Sequence, residues 1–550
     1  MRRIAVLLAL VVAVWPASSA LAGGSTTTRG TAAGRMQADF NDDGFADLAV
    51  AAPFEDIGTV SDAGAVHVLY GTPTGLTATG TQLLTQDSPG VPGTAEVGDD
   101  FGFALAAGDF DNDGFADLAV GVPGEDLGGG FAAEGGVNVL YGAAGGLTGG
   151  QLFTQDSPGV PGVAEVGDVF GATLAAGDFD NDGADDLAVG ASGEDLGGVE
   201  HGGAVNVLFG AGGGLTGIGG QLFTQDSPGV GDSAEDFDAF GETLAAGGFD
   251  NDGFDDLAVG VSREDVGSVF DGGAVNVLPG TAGGLTGTGS QLFTQDSPGV
   301  GSIAEQIDIF GFALAAGDFD NDGFADLAVG VPFEDVGAVQ EAGAINVLPG
   351  TAGGLTGTGS QLFTQDSPGV GSIAEQDDDF GFALAAGDFD NNGFDDLAVG
   401  VPFEDVGAVQ EAGAINVLPG TAGGLTGTGS QLFTLDSPGV PGVAESDVFG
   451  ERLAAADFDN DGFADLAVGA PGEDIGTIVE GGAVNVVYGT AGGLTGTGSQ
   501  LFTQDSPGMP GMAEDTDLFA EALAASGPQS ATAPPASPSP SGLRRASPQQ

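Results

Sequence analysis

The sequence predicts an all-β protein, a seven-bladed β-propeller of four-stranded blades, on three observations. An aspartate-rich loop recurs seven times, beginning at Asp39, Asp109, Asp178, Gly248, Asp318, Asp388 and Asp457. The spacings are 70, 69, 70, 70, 70 and 69 residues, longer than helical repeats and enough for four short strands with their loops. The segments between loops show no sustained helical period, and 106 glycines interrupt them throughout.

The second unit displays the elements in chain order. Phe101 to Phe110 (FGFALAAGDF) is apolar and runs into the aspartate loop, which makes it a first strand. Phe115 to Val122 (FADLAVGV) follows as a second, closed by Pro123. After a Gly- and acid-rich loop, Gly136 to Tyr141 (GVNVLY) alternates apolar and polar residues with the strand period. Gln151 to Thr154 (QLFT) is a short fourth strand before a Pro/Gly loop. On this pattern His67, standing where other copies carry Asn138 and Asn206, is expected to be an ordinary exposed strand residue. His201, in a loop beside Glu200, is expected to be a lone surface histidine.

Two units are near duplicates, Val300–Gln365 and Val370–Leu435, as suits an architecture in which each unit mainly contacts its neighbours. The ends depart from the repeat. The first unit has Thr31-Ala32 where Phe101-Gly102 would fall, and an orphan copy of that strand, Phe519 to Ala525, follows the last unit. A closed ring must satisfy the sheet edge where first and last blades meet, so the orphan strand is expected to complete the first blade.

Arg2 and Arg3, the apolar run Ile4 to Trp15, and the small-residue site Ala20-Leu21-Ala22 have the layout of a signal peptide over 1–22. A lead-in over 23–38, the propeller over 39–527 and a Pro/Ser-rich tail over 528–550, expected to be disordered, complete the organisation. The protein is therefore expected to be secreted or held at the cell surface, with no membrane insertion after signal cleavage, and to be a monomer. With 8 basic and 80 acidic residues the net charge is −72, which opposes binding to nucleic acid or an anionic membrane and favours cations. Cysteine is absent, so disulfides and thiolate chemistry are excluded and the core or a bound metal must hold the fold. A hydrophobic share of 41% separates the chain from a disordered polyanion.

The second loop reads Asp109-Phe110-Asp111-Asn112-Asp113-Gly114-Phe115-Ala116-Asp117. Oxygens at positions 1, 3, 5 and 9, with a carbonyl near position 7, can converge on one hard cation, and the glycine permits the turn. Oxygen-only ligation selects calcium over zinc or copper. The same positions recur as Asp39, Asn41, Asp43 and Asp47, and as Asp178, Asp180, Asp182 and Asp186. They recur again as Asp318, Asp320, Asp322 and Asp326, as Asp388, Asp390, Asn392 and Asp396, and as Asp457, Asp459, Asp461 and Asp465. In the fourth copy Gly248 removes the first ligand and leaves Asp250, Asp252 and Asp256, so this site should be the weakest of up to seven. Position 12 is Val120 where an EF-hand needs a bidentate glutamate, and the flanks are strands, so the unit is a β-hairpin calcium loop. Affinities of roughly 10⁻⁴–10⁻³ M are expected, as in extracellular modules. A plain Asx-type turn uses the same residue types, but the spacing of acids across seven copies favours the metal.

Phe449-Gly450, the loop Asp457 to Asp465 and Gly469-Ala470-Pro471 resemble the FG-GAP repeat family, the propeller of integrin α subunits and their bacterial relatives. The resemblance covers about Asp39 to Ala525. It implies a seven-bladed propeller, structural calcium between first and second strands, and a ligand face formed by the loops on the opposite side. Here that face would include Glu125-Asp126 through Glu134 and Asp156-Ser157-Pro158 through Asp168. With 3 Tyr and 1 Trp the chain lacks the aromatic face of an adhesion propeller, and no integrin-type accompanying domains are seen. The favoured function is a non-enzymatic extracellular binding or adhesion module with a protein or glycan ligand. The alternatives are a propeller-type hydrolase or lyase, and a calcium-hardened structural coat protein. No catalytic residue stands out: lysine and cysteine are missing, and the Glu-Asp pairs (Glu125-Asp126, Glu194-Asp195, Glu264-Asp265, Glu334-Asp335) recur as a scaffold feature would.

Overall fold

The structure, a computed structural model, describes residues 38–128, 133–525 and 530–531. The expected signal peptide, the lead-in before Ala38 and the tail apart from Ser530–Ala531 lie outside the described residues. Among the described residues every regular element is a strand, and the strands form seven antiparallel blades. Six blades have four strands; the sixth has a fifth short segment, Ser530–Ala531, beside Leu384–Gly387. No described helix is long and apolar enough to cross a membrane.

In the second blade the strands are Leu105–Gly108, Asp117–Val122, Gly136–Tyr141 and Thr148–Phe153. The first is shorter than the apolar segment suggests, because Phe101 reaches back to the preceding blade, its amide donating to the Ala63 carbonyl at 3.1 Å. The same link recurs at Phe170, Phe240, Phe310, Phe380, Phe449 and Phe519, all with no exposed surface. Burial of each ring stabilises the fold by roughly 2–3 kcal/mol. It requires glycine opposite: Gly64 has φ +81°, and a Cβ there would meet the Phe101 carbonyl oxygen at 2.3 Å.

The first blade is assembled from both ends of the described chain. Its strands Leu48–Ala52, Ala65–Tyr70 and Thr77–Leu84 are joined by Ala522–Ala524, which pairs with the first of them (Ala49 with Ala524, Ala51 with Ala522). Innermost strands touch their neighbours round the ring, and Ala522–Ala524 lies between those of the seventh and second blades. Alanine and glycine dominate these strands, as Leu105–Gly108 (LAAG) illustrates, and small side chains suit the crowding of seven strands round one axis.

The third strands correct the simple alternating pattern. Both blade faces are covered by other blades, so the polar residue is buried too: Asn138, Asn206, Asn276, Asn346 and Asn416 have no exposed surface and Asn485 has 1%. Asn138 and Asn206 donate Nδ2 to the carbonyls of Pro92 and Pro161 at 2.6 Å, pinning the connector between blades. His67 takes this place in the first blade. It is fully buried rather than exposed, its Nε2–H donating to the Pro510 carbonyl at 2.9 Å and its ring edge-on to Phe519. His201 is partly exposed and stacks on Phe237 with ring centroids 5.4 Å apart.

Candidate metal centres

Six aspartate loops join the first and second strands of their blades, and the first loop leads into the second-strand position, Leu48–Ala52, of a blade whose innermost strand is Ala522–Ala524, so all seven lie on one face of the ring. Sequence explains the local turn. In the second loop the Asp113 and Gly114 amides donate to the two carboxylate oxygens of Asp109, and the Phe115 amide donates to Asp113 Oδ1. Position 4 adopts left-handed φ near +55° in every loop, a conformation asparagine tolerates, and it is Asn in six of the seven and Asp42 in the first. Position 2 is a phenylalanine with no exposed surface, from Phe40 to Phe458, which anchors the loop to the core.

Position 9 is set differently from the others. Asp117 is fully buried, its Oδ2 accepting from the Phe110 amide at 2.9 Å and its Oδ1 from the Gly142 amide at 2.8 Å, just past the third strand. Asp47, Asp186, Asp256, Asp326, Asp396 and Asp465 repeat both bonds.

Five of the seven loops bring three carboxylates within 4.8 Å of one another. The triads are Asp109, Asp111 and Asp117; Asp178, Asp180 and Asp186; Asp388, Asp390 and Asp396; and Asp457, Asp459 and Asp465. In the fifth loop the triad is Asp318, Asp320 and Asp322, with Asp326 outside it. Asp113, Asp182, Asp461 and Asn392 stand outside the triads, each accepting the amide two residues on. The first loop keeps the turn bonds of Asp39 and Asp43 but has the amide Asn41 for its second acid. The fourth keeps only the bonds made by Asp250, Asp252 and Asp256, since Gly248 has no side chain to offer.

These carboxylates are short of positive charge. Burial is the largest cause pushing Asp47, Asp117, Asp186, Asp326 and Asp465 up to about 8, with neighbouring acids adding to it and backbone amides opposing. The arginines among the described residues are Arg263 and Arg452, and no lysine exists in the chain. Both arginines pair with glutamates outside the loops. An all-oxygen donor set of converging, desolvated carboxylates is arranged to hold a hard metal ion.

Sequence reasoning missed an additional set of acids. Position 8 is Asp185, Asp255 and Asp395 in the third, fourth and sixth loops, where the others have alanine. Each crosses to the preceding blade: Asp185 accepts the Asp109 amide at 2.8 Å, Asp255 that of Asp178 at 3.1 Å, and Asp395 that of Asp318 at 2.9 Å. The doubled Asp-Asp in three copies was the available signal. Neighbouring loops also touch through position 4, as where Asn460 donates Nδ2 to the Gly44 carbonyl at 2.8 Å, joining seventh loop to first.

The FG-GAP repeat model matches residues 36–69, 101–138, 170–208, 310–348, 380–418 and 449–487, each spanning one buried phenylalanine and aspartate loop save the first, which begins at the loop. The chain carries six FG-GAP repeats. The unmatched FG-GAP-like blade is the fourth, whose loop starts at Gly248. The chain is 32% identical to integrin alpha-3 of Cricetulus griseus over 168 residues, covering 30% of this chain and 14% of that protein. It is 30% identical to integrin alpha-5 of Xenopus laevis over 257 residues, covering 45% and 21%. The matched stretches span about a fifth or less of the length of these relatives. Among solved structures, a Bacillus licheniformis rhamnogalacturonan lyase aligns at TM-score 0.33 and 11% identity, covering 82% of this chain and 87% of that one. An exotype rhamnogalacturonan lyase aligns at TM-score 0.32 and 12% identity, covering 88% and 90%. Likeness this low carries no argument about activity.

Proposed function

We propose that this chain is a secreted, calcium-stabilised propeller that works as a non-enzymatic extracellular binding module. The observation that carries the calcium assignment is the set of five carboxylate triads within 4.8 Å, desolvated and, among the described residues, without a basic side chain beside them. Oxygen ligands of this number and a glycine-turned hairpin suit calcium, whose flexible coordination accepts carboxylate and amide oxygens together. Bound calcium supplies the positive charge that lets the buried acids stay ionised; the chain's own residues shape the loop and tie it to the core. Binding then falls to the opposite face, where the loops between second and third strands and the connectors between blades present further acids. The similarity to integrin α subunits supports an extracellular setting.

Thermal melting in millimolar calcium and in chelator tests the metal. The melting temperature is expected to rise with calcium, and identical curves would sink the assignment. A glycan and matrix-protein array probed in calcium tests the binding role; steady hydrolysis or elimination on a polysaccharide panel would overturn it.

A further inference from the structure

Position 8 of a hairpin meets position 1 of the hairpin before it, and it does so in two ways. Where position 8 is alanine, only the main chain makes the contact. The Ala116, Ala325 and Ala464 amides donate to the carbonyls of Asp39, Gly248 and Asp388 at 3.1, 3.2 and 3.1 Å. Where it is aspartate the same amide bond is present, from Asp185 to Asp109 at 3.0 Å, from Asp255 to Asp178 at 3.1 Å and from Asp395 to Asp318 at 3.2 Å. The side chain then adds a second bond, its Oδ2 accepting the amide of that same residue. Residue 1 of the preceding loop is thereby gripped at both its N–H and its C=O. In all three cases that residue belongs to a carboxylate triad.

Position 8 is fixed from its own side as well. In the sixth loop Asp395 stands between Phe394, whose position-7 carbonyl is an expected ligand, and the triad member Asp396, which two backbone amides tether to its blade. An ion in the sixth loop restrains both neighbours of Asp395, and Asp395 passes that restraint to Asp318 in the fifth. Groups that orient a ligand in this way tune the affinity of the site they support. Charge alone does not give the same result. Asp395 faces the first ligands of both loops, Asp318 and Asp388, so its negative charge favours a cation in each without linking the two. Two bound cations repel, so positive coupling between neighbouring loops needs a mechanical link.

We propose that Asp185, Asp255 and Asp395 are positioning residues that make calcium binding cooperative between the loops they join. These are the second with the third, the third with the fourth, and the fifth with the sixth. Loops that meet through alanine bind their ions independently. The inference rests on the calcium assignment of the hairpins and adds which of the sites act together.

The fifth and sixth loops form an isolated pair, bounded by Ala325 and Ala464, and they carry the test. Calcium is titrated into the full chain against a chromophoric chelator of known affinity, which counts the sites and ranks their affinities. Asp390→Ala takes a triad carboxylate from the sixth loop. It is expected to cost that site and to weaken a second one about tenfold. In an Asp395→Ala background the same substitution is expected to cost one site and leave the others in place. Alanine is what four of the loops already carry at this position, and melting in chelator verifies that each variant keeps its fold. Asp395→Asn retains an acceptor for the Asp318 amide without the charge, and should preserve the coupling. Asp459→Ala in the seventh loop, which meets its neighbours through Ala464 and Ala46, is the control and should remove a single site. Loss of one site with no shift in any other on Asp390→Ala overturns the proposal, as does Asp395→Asn behaving like Asp395→Ala. A wild-type chain that takes up no calcium overturns the calcium assignment along with it, so the two failures are told apart.

Discussion

Asp117 is held by two backbone amides before any ion arrives, whereas Asp111 has no such tether to the blade. The two residues therefore answer differently to substitution. Asp117→Ala leaves the Phe110 and Gly142 amides buried without acceptors, at roughly 1–3 kcal/mol for each such group. Its melting temperature is expected to fall in chelator and in calcium alike. Asp111→Ala should match wild type in chelator and fall short of it only in calcium. His67 offers a second residue-level test. Burial lowers its pKa to about 4, so the folded state favours the neutral ring. The associated stability is full above pH 6.5 and is lost as pH falls toward 4, a change on the order of 3 kcal/mol. His67→Asn, which restores the residue of the other six blades, should flatten this acid limb and leave stability at pH 8 nearly unchanged, as chemical denaturation across pH would reveal.

At the scale of the element, the loop was almost wholly legible. Its acids sit at fixed spacing and the turn that uses them is local, but residue type did not show that position 5 stands outside four of the five triads and accepts the amide two residues on. The blade-to-blade residues were not legible. Asp185, Asp255 and Asp395 look like spare ligands in one copy, but they cap the preceding loop, a partner 76 or 77 residues away. The strand reading failed at Asn138 and His67 for a related reason. Alternation assumes one face open to water, and a blade has none. The fourth loop makes the element testable. Gly248 does not adopt a positive φ, so an aspartate fits its backbone. Gly248→Asp is expected to raise the melting temperature in calcium by supplying the missing ligand, and to leave or lower it in chelator, where one more acid only adds repulsion. An equal rise in both conditions would argue against ligation by this loop.

Across the whole molecule, the join between the seventh and first blades differs from the other six. Arg452 has no exposed surface and occupies a position held by alanine or threonine elsewhere. Its Nη2 lies 2.7 Å from Glu521 Oε1 and its Nε donates to the Glu521 carbonyl at 2.7 Å, one residue before Ala522–Ala524. Arg452→Ala strands the buried Glu521, and losing one partner of such a pair costs roughly 3–5 kcal/mol. Removing Glu521 as well should recover much of that loss, a coupling readable from a double-mutant cycle in urea. The repeat period made the seven blades visible, but a single arginine in one copy gave no hint of this joint. The pairing of Ala522–Ala524 with Leu48–Ala52 also orders events in time. The first blade emerges early from the ribosome with an unsatisfied inner edge, and it waits for nearly the whole chain before its last strand exists. A first blade that folds before that strand is made presents an open, strand-accepting edge, and whatever shields that edge decides whether the ring is completed by its own chain or by another copy.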